Sequence, residues 1–201
     1  MGLFLFATAI VCQLESELGL SPWDTLHQGI AKHTPLTFGE ANIVVGMIVV
    51  AVAWALGARI WIGTIANAVL VGVFIQGLTA IGWVDGLSED SLAIRITLLV
   101  VAMPLYGIAS ALYLGAWFGA GPRDSLMLVG SRRTGVRVGV VRAVIEVAAL
   151  AVGIALGGTF GIGTIAFAFL VGPVVESSFA LLARSPLAMP SPAPVPVVIG
   201  E

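Results

Sequence analysis

Residues 62–66 read Ile-Gly-Thr-Ile-Ala, and the same five residues return at 162–166. Other identical pairs share this offset of one hundred positions: Gly19 and Gly119, Pro22 and Pro122, Asp24 and Asp124, Gly39 and Gly139, and Gly57 and Gly157. The offset stays constant along the chain, and it is far longer than the roughly 20–50 residues of a solenoid repeat. The sequence therefore indicates a duplicated half-protein, with repeats over about 1–81 and 92–182.

The composition is that of a protein embedded in lipid. Hydrophobic residues make up 59% of the 201 positions and charged residues only 10%, which is typical of polytopic membrane proteins. The chain has no run of Lys or Arg, so nucleic acid is excluded as a partner. The single Cys12 forms no internal disulfide and offers no cysteine-based metal site. We predict a lipid bilayer as its surroundings.

Hydrophobic segments of bilayer length predict six transmembrane helices, three in each repeat. They cover 2–18, 40–57, 61–81, 93–118, 138–157 and 161–182. The predicted fold is an all-α membrane bundle in one domain, 1–184, followed by a Pro-rich disordered tail, 185–201. The first span begins about ten residues later than its counterpart near Leu92, which is consistent with a start codon upstream of Met1.

Charges in the loops predict the orientation of these spans. Six spans place most of the arginines on the side of both termini: Arg59, Arg123, Arg132, Arg133, Arg137 and Arg184. The opposite side receives Lys32, Asp85, Glu89 and Asp90. The positive-inside rule then assigns both termini to the cytoplasm. Because each repeat has an odd number of spans, the two repeats are predicted to be inverted relative to each other.

Each repeat also carries a Pro-x-Asp stretch between its first and second spans, at 22–24 and 122–124. Proline suits the first turn of a helix, and aspartate complements the positive end of the helix dipole. We predict a helix of about ten to twelve residues at each stretch, which is too short to span the bilayer. One placement is on the membrane surface. The other, favoured because both repeats keep the pattern, dips toward the midplane as in inverted-repeat transporters.

The two aspartates are the first candidates for a solute site. If the short helices dip into the membrane, Asp24 and Asp124 lie near the central axis, where they would bind a cation or amine or exchange a proton. The alternative is that each aspartate only caps its own helix.

Four further polar residues in the spans are candidates for a substrate path. Arg142 and Glu146 are four residues apart and share a helix face, so they either form an internal salt bridge or line the path. Gln76 and Glu176 are polar at matching positions of the third and sixth spans. Their alternative role is that of interface residues that reach water.

The remaining features indicate neither catalysis nor metal binding. His27 and His33 lack metal-ligand spacing, so we interpret them as structural or solvated histidines. No nucleophile or phosphate-binding loop accompanies the aspartates, so we predict no catalytic residue, no cofactor and no enzyme activity. Two ridges of small residues at four-residue spacing mark either close packing inside the bundle or a homo-oligomer contact: Gly107, Ala111, Gly115 and Gly119, and Gly153, Gly157 and Gly161.

Four stretches resemble one known family. They are 18–29, 119–127, 141–146 and 161–165, and they are similar to the YczE family of bacterial integral membrane proteins, which is related to the YyaS and YitT groups. The resemblance covers nearly the whole chain except the proline tail and the start. It implies a bacterial plasma-membrane protein described as a permease or membrane protein, without a defined substrate.

Two functions remain open from the sequence. The first is a secondary transporter or permease for a small polar or cationic solute, with the inverted repeats moving about a site near Asp24 and Asp124. The second is a membrane adaptor or regulatory subunit, in which the cytoplasmic Arg132, Arg133 and Arg137 would contact an acidic partner protein; anionic lipid headgroups are the simpler partner for these arginines.

Overall fold

The computed structural model describes residues 1–82, 87, 91–116 and 118–184. Eight α-helices can be given bounds within these described residues: α1 Gly2–Ser16, α2 Pro22–His33, α3 Phe38–Ala55, α4 Ile62–Ile81, α5 Leu92–Gly115, α6 Pro122–Thr134, α7 Val138–Ala155 and α8 Ile162–Leu182. No strand occurs in these described ranges. The predicted all-α fold is confirmed. The predicted acidic loop residues Asp85, Glu89 and Asp90 and the predicted tail 185–201 lie outside the described residues.

Five helices, α3, α4, α5, α7 and α8, are long and apolar enough to cross a membrane. Helix α1 is also apolar but has only 15 residues, or about 22 Å at 1.5 Å per residue. The hydrocarbon core of a bilayer is about 30 Å thick. The chain is thus a multi-pass helical protein, while the sixth span predicted at 2–18 stays a prediction.

The outer faces of the bundle are apolar, as contact with lipid requires. Only 11% of the apolar window of α7 and 6% of that of α8 is buried inside the protein. Large side chains such as Val147, Phe169 and Leu181 are exposed. An apolar surface of this extent is unfavourable in water. The hydrophobic runs of the sequence therefore reflect contact with lipid more than contact with the protein core.

The helix starts follow from local sequence. Thr37 and Glu40 form a capping box at α3, in which the Thr37 amide donates to Glu40 Oε2 at 2.8 Å and the Glu40 amide donates to Thr37 Oγ1 at 3.2 Å. Helices α2 and α6 both have proline in the first turn, as predicted, with Ser21 and Gly121 as N-caps.

Equivalent elements of the two halves of the chain make the same kind of contact with the opposite half. We call two residues equivalent when their numbers differ by one hundred. Helix α2 packs on α7, and its equivalent α6 packs on α3. The Gly63 amide donates to Phe118 O at 2.9 Å, and the equivalent Gly163 amide donates to Leu18 O at 2.8 Å. The short helix of each half is therefore held by the other half.

The C-terminal end of each short helix also forms a hydrogen bond with the opposite half of the chain. Lys32 Nζ at the end of α2 donates to Gly157 O at 2.6 Å. Arg133 Nε at the end of α6 donates to Leu56 O at 2.8 Å. Both cations thus hold a carbonyl at the C-terminal end of a helix in the opposite half, where cations are favoured.

Glycines from the predicted small-residue ridges lie at internal helix crossings. A Cβ on Gly107 of α5 would approach Ser178 Oγ of α8 to 2.5 Å, and a Cβ on Gly153 of α7 would approach the Leu26 amide of α2 to 2.6 Å. Contacts this short leave no room for a side chain. At Gly107 and Gly153, close packing inside the bundle accounts for the glycine.

Candidate functional site

Asp24, at the start of α2, is almost completely buried. Its Oδ2 accepts a hydrogen bond of 2.5 Å from Ser21 Oγ, and its backbone amide donates to the same hydroxyl at 3.3 Å. These contacts are those of a helix N-cap, in which a side-chain oxygen satisfies an exposed amide. The Asp24 carboxylate is therefore part of the structure of the helix start.

His27 lies one turn further along α2 and is equally buried. Its Nδ1 lies 3.3 Å from Asp24 Oδ1 and 3.2 Å from Asn42 Nδ2 of α3. The sequence predicts a structural or solvated histidine, and the structure shows a buried histidine between a carboxylate and an amide. His33, at the end of α2, is exposed.

Three oxygen atoms surround Gly121 at the start of α6. A Cβ on this glycine would lie 2.8 Å from the Tyr113 hydroxyl, 3.4 Å from Asp124 Oδ2 and 3.7 Å from Asn67 Oδ1. The Tyr113 hydroxyl is buried and has no hydrogen-bond partner among the described residues. The start of α6 thus gathers oxygen atoms from three helices beside a residue without a side chain.

The starts of α2 and α6 meet each other. The Arg123 guanidinium lies over the Trp23 indole, 5.0 Å from the ring centroid, which is a cation–π geometry. Trp23 and Arg123 are equivalent residues. Phe6 of α1 and Tyr106 of α5 are also equivalent, and their rings pack edge to face at 5.3 Å. Contact between equivalent residues brings the two halves together at matched points.

A cavity of about 180 Å³ lies at this junction. Many of its lining residues are equivalent pairs: Phe6 and Tyr106, Ser21 and Gly121, Trp23 and Arg123, His27 and Met127, Asn42 and Arg142, and Asn67 and Phe167. The cavity is therefore built by both halves from the same positions. Such a concave space with a few convergent polar groups is the usual form of a small-molecule site.

The charged residues of the cavity wall are unevenly divided between the two halves of the chain. Its acidic and basic residues all come from the second half of the chain: Arg123, Asp124, Arg142 and Glu146. Arg142 Nε donates to Glu146 Oε1 at 2.9 Å. Repeat 1 contributes polar groups without a permanent charge, namely Ser21, Trp23, His27, Asn42 and Asn67. A bound solute would therefore meet two chemically different walls.

The predicted site residues divide into two groups. Asp124, Arg142 and Glu146 line the cavity, and Asp24 sits behind the lining residues Ser21 and His27. Gln76 and Glu176 are exposed and do not line it. The structure thus brings the two helix starts and the Arg142–Glu146 pair together, but not the polar positions of α4 and α8.

Sequence reasoning did not select several residues of the cavity. Trp23, Asn42, Tyr106 and Tyr113 are single aromatic or amide residues in apolar helices, and nothing in their spacing indicates convergence. Arg123 was considered only as one of the loop charges that predict the orientation of the spans. The available signal was the repeat itself, since Trp23 and Arg123 are equivalent and lie next to the two aspartates.

The structure gives little sign of a metal centre. Among the described residues, no group of three or more His, Cys, Asp or Glu side chains is placed to hold a metal ion. The Thr64 hydroxyl donates to Ala120 O at 2.7 Å and fixes the corner before α4.

The fold and the apolar outer faces define the class of a multi-pass α-helical membrane protein. A family model matches residues 1–178, and the chain belongs to that family, described as a family of unknown function (DUF6198). No solved structure matches the chain.

Curated relatives agree with this assignment. The chain is 37% identical over 180 residues to the uncharacterized membrane protein YczE of Bacillus subtilis, covering 88% of this chain and 81% of the relative. An uncharacterized protein of Haemophilus influenzae is 34% identical over 171 residues, covering 85% and 77%. YyaS of Bacillus subtilis is 26% identical over 196 residues, covering 89% and 92%. The predicted resemblance to the YczE family is confirmed.

Proposed function

We propose that this protein is a secondary transporter or permease for a small polar solute in the bacterial plasma membrane. The observation that carries the proposal is the cavity at the junction of the two halves, lined by equivalent residues. A residue that contacts its own equivalent lies beside the pseudo-two-fold axis, as Trp23 does with Arg123. A site on that axis is the arrangement that inverted-repeat transporters use.

In this proposal six spans form two inverted repeats, and both termini are cytoplasmic. Helices α2 and α6 enter the membrane from opposite faces, so their starts meet near the midplane. The burial of Ser21, Asp24 and Ser125 supports this placement over a helix lying on the membrane surface. The contact of α2 with α7 and of α6 with α3 supports it too, because a surface helix would not be enclosed by the opposite half.

The hydrogen bonds at the C-terminal ends of the short helices indicate how the cavity opens to one side of the membrane at a time. In an inverted arrangement, the Lys32 contact with Gly157 and the Arg133 contact with Leu56 lie at opposite faces of the membrane. Opening the protein at one membrane face breaks the hydrogen bond on that face and leaves the one on the other face intact. The two halves then rock about the central cavity, which exposes it to one side at a time.

Counterflow in proteoliposomes tests the proposal. The purified protein is reconstituted in liposomes preloaded with unlabelled amino acids, amines or vitamins, and uptake of the same labelled compound is measured. We expect uptake of at least one compound above that of empty liposomes and its loss in Asp124→Asn, while Glu17→Gln, outside the cavity lining, keeps it. If a broad panel gives neither binding nor uptake with folded protein, the adaptor function replaces this one.

A further inference from the structure

We infer that the cavity binds a small zwitterion, a solute that carries one protonated amine and one carboxylate and has the size of a small amino acid. The inference rests on the proposed function for its biological role, but binding is measured independently of transport. Its basis is a cationic and an anionic residue in the cavity wall, beside two buried polar atoms, the Tyr113 hydroxyl and the Trp23 indole nitrogen, that have no hydrogen-bond partner among the described residues.

Of the charged residues in the cavity wall, one cation and one anion form no direct ion pair. Arg142 and Glu146 form an ion pair with each other. Arg123 and Asp124 take no part in the ion pairs within 4 Å found among the described residues, although Arg123 and Arg142 attract the Asp124 carboxylate at longer range. Each of the two residues can therefore still take a direct charged partner from a solute. A solute with a single charge would complement only one of these two residues, whereas a zwitterion complements both.

The surroundings of Gly121 suit an ammonium group. Asp124 Oδ2, the Tyr113 hydroxyl and Asn67 Oδ1 all lie within 4 Å of the position that a Cβ on this glycine would take. All three atoms accept hydrogen bonds, and an ammonium group offers three donors. The Tyr113 hydroxyl has no partner within the described part of the protein. A bound amine would provide it.

The contact between Trp23 and Arg123 suits a carboxylate. Trp23 lines the cavity and is 7% exposed, yet its indole N–H has no hydrogen-bond partner in the described ranges, although buried indole N–H groups usually have one. Arg123 lies in the first turn of α6, where the helix dipole disfavours a cation. A carboxylate beside both would accept from the indole N–H and neutralise the guanidinium.

The size of the cavity limits the solute. Its volume of about 180 Å³ holds about six water molecules at roughly 30 Å³ each. Sites for drug-sized ligands have roughly 300–1,000 Å³. The volume of the cavity therefore matches a small amino acid.

Four compounds of nearly equal shape show whether the cavity prefers a zwitterion, a cation, an anion or a neutral molecule. Alanine carries both charges, alaninamide only the ammonium, isobutyrate only the carboxylate and isobutyramide neither. Binding to the detergent-purified full chain is measured by isothermal calorimetry and by the ligand-induced rise in melting temperature. We expect alanine or another small amino acid to bind at least tenfold more tightly than its singly charged or neutral analogues.

Variants locate the two ends of the solute. We expect Asp124→Asn to weaken amino-acid binding roughly ten- to hundredfold, because it removes the negative charge, and Trp23→Phe roughly fivefold, because it removes the indole N–H donor. Glu17→Gln and Trp54→Phe are the matched controls, because both residues are exposed and outside the cavity lining. If Asp124→Asn does not fold, Tyr113→Phe tests the same end of the site.

Two results would overturn the inference and are distinct from each other. Equal binding of alanine and alaninamide, or of alanine and isobutyrate, would show a site for a singly charged solute and would leave the proposed transport function standing. Absence of binding by these compounds and by the wider panel of amines and vitamins, with folded protein, would overturn both proposals.

Discussion

At the scale of single residues, the two equivalent aspartates have different surroundings. Asp24 is held by Ser21 and His27 and lies behind the cavity wall, whereas Asp124 lines the cavity. The sequence suggests either a capping role or a solute-binding role for both. In the structure Ser21 is the N-cap of α2 and its hydroxyl donates to the Asp24 carboxylate, whereas Asp124 lines the cavity. Of the two duplicated residues, one therefore makes a structural contact, and in the proposed function the other contacts the solute.

The surroundings of Asp24 make His27 important for stability. His27→Ala removes the group 3.3 Å from Asp24 Oδ1, an oxygen atom with no other partner in the described chain. Leaving a buried polar group without its partner costs about 1–3 kcal/mol. We expect a clearly lower melting temperature for this variant in detergent. His33→Ala, at an exposed position of the same helix, should melt like the wild type; equal melting of the two variants would contradict the account.

At the scale of helices, most of the architecture was predictable from the sequence. Hydrophobic length gave the five long helices to within about three residues at each end, and Pro-x-Asp gave the starts of α2 and α6. These features depend on local chemistry. The packing of α2 on α7 and of α6 on α3 depends on contacts about one hundred residues apart, and no local pattern in the sequence determines them.

The crossing of α2 and α7 gives a prediction about glycine. Gly153→Ala would place a methyl group 2.6 Å from the Leu26 amide, and overpacking of this kind costs about 1–3 kcal/mol. We expect reduced thermal stability and weaker solute binding, because α2 would shift away from the cavity. Gly139→Ala in the same helix is the control, since nothing lies within 4 Å of its added Cβ. Equal stability of the two variants would rule out the tight crossing.

At the scale of the whole molecule, the repeat indicated two related halves but not the site between them. Asp124, Arg142 and Glu146 were predicted as site residues, and they line the cavity. Gln76 and Glu176 were selected by the same reasoning from matched positions, and they are exposed. Equivalence in sequence does not reveal which face of a helix points toward the axis, because that depends on how the halves pack.

The central claim is that two oppositely oriented halves enclose one site, and single-cysteine labelling tests it most directly. Thr34 and Thr134 are exposed and equivalent, just after the end of α2 and at the last residue of α6. Thr34→Cys and Thr134→Cys are made separately with the buried Cys12 replaced by Ala, and whole cells and inverted vesicles are treated with a membrane-impermeant maleimide.

The account predicts labelling of Thr34→Cys in whole cells and of Thr134→Cys only in inverted vesicles. Labelling of both cysteines from the same side of the membrane would contradict the inverted arrangement, and with it the placement of the cavity between two opposed halves.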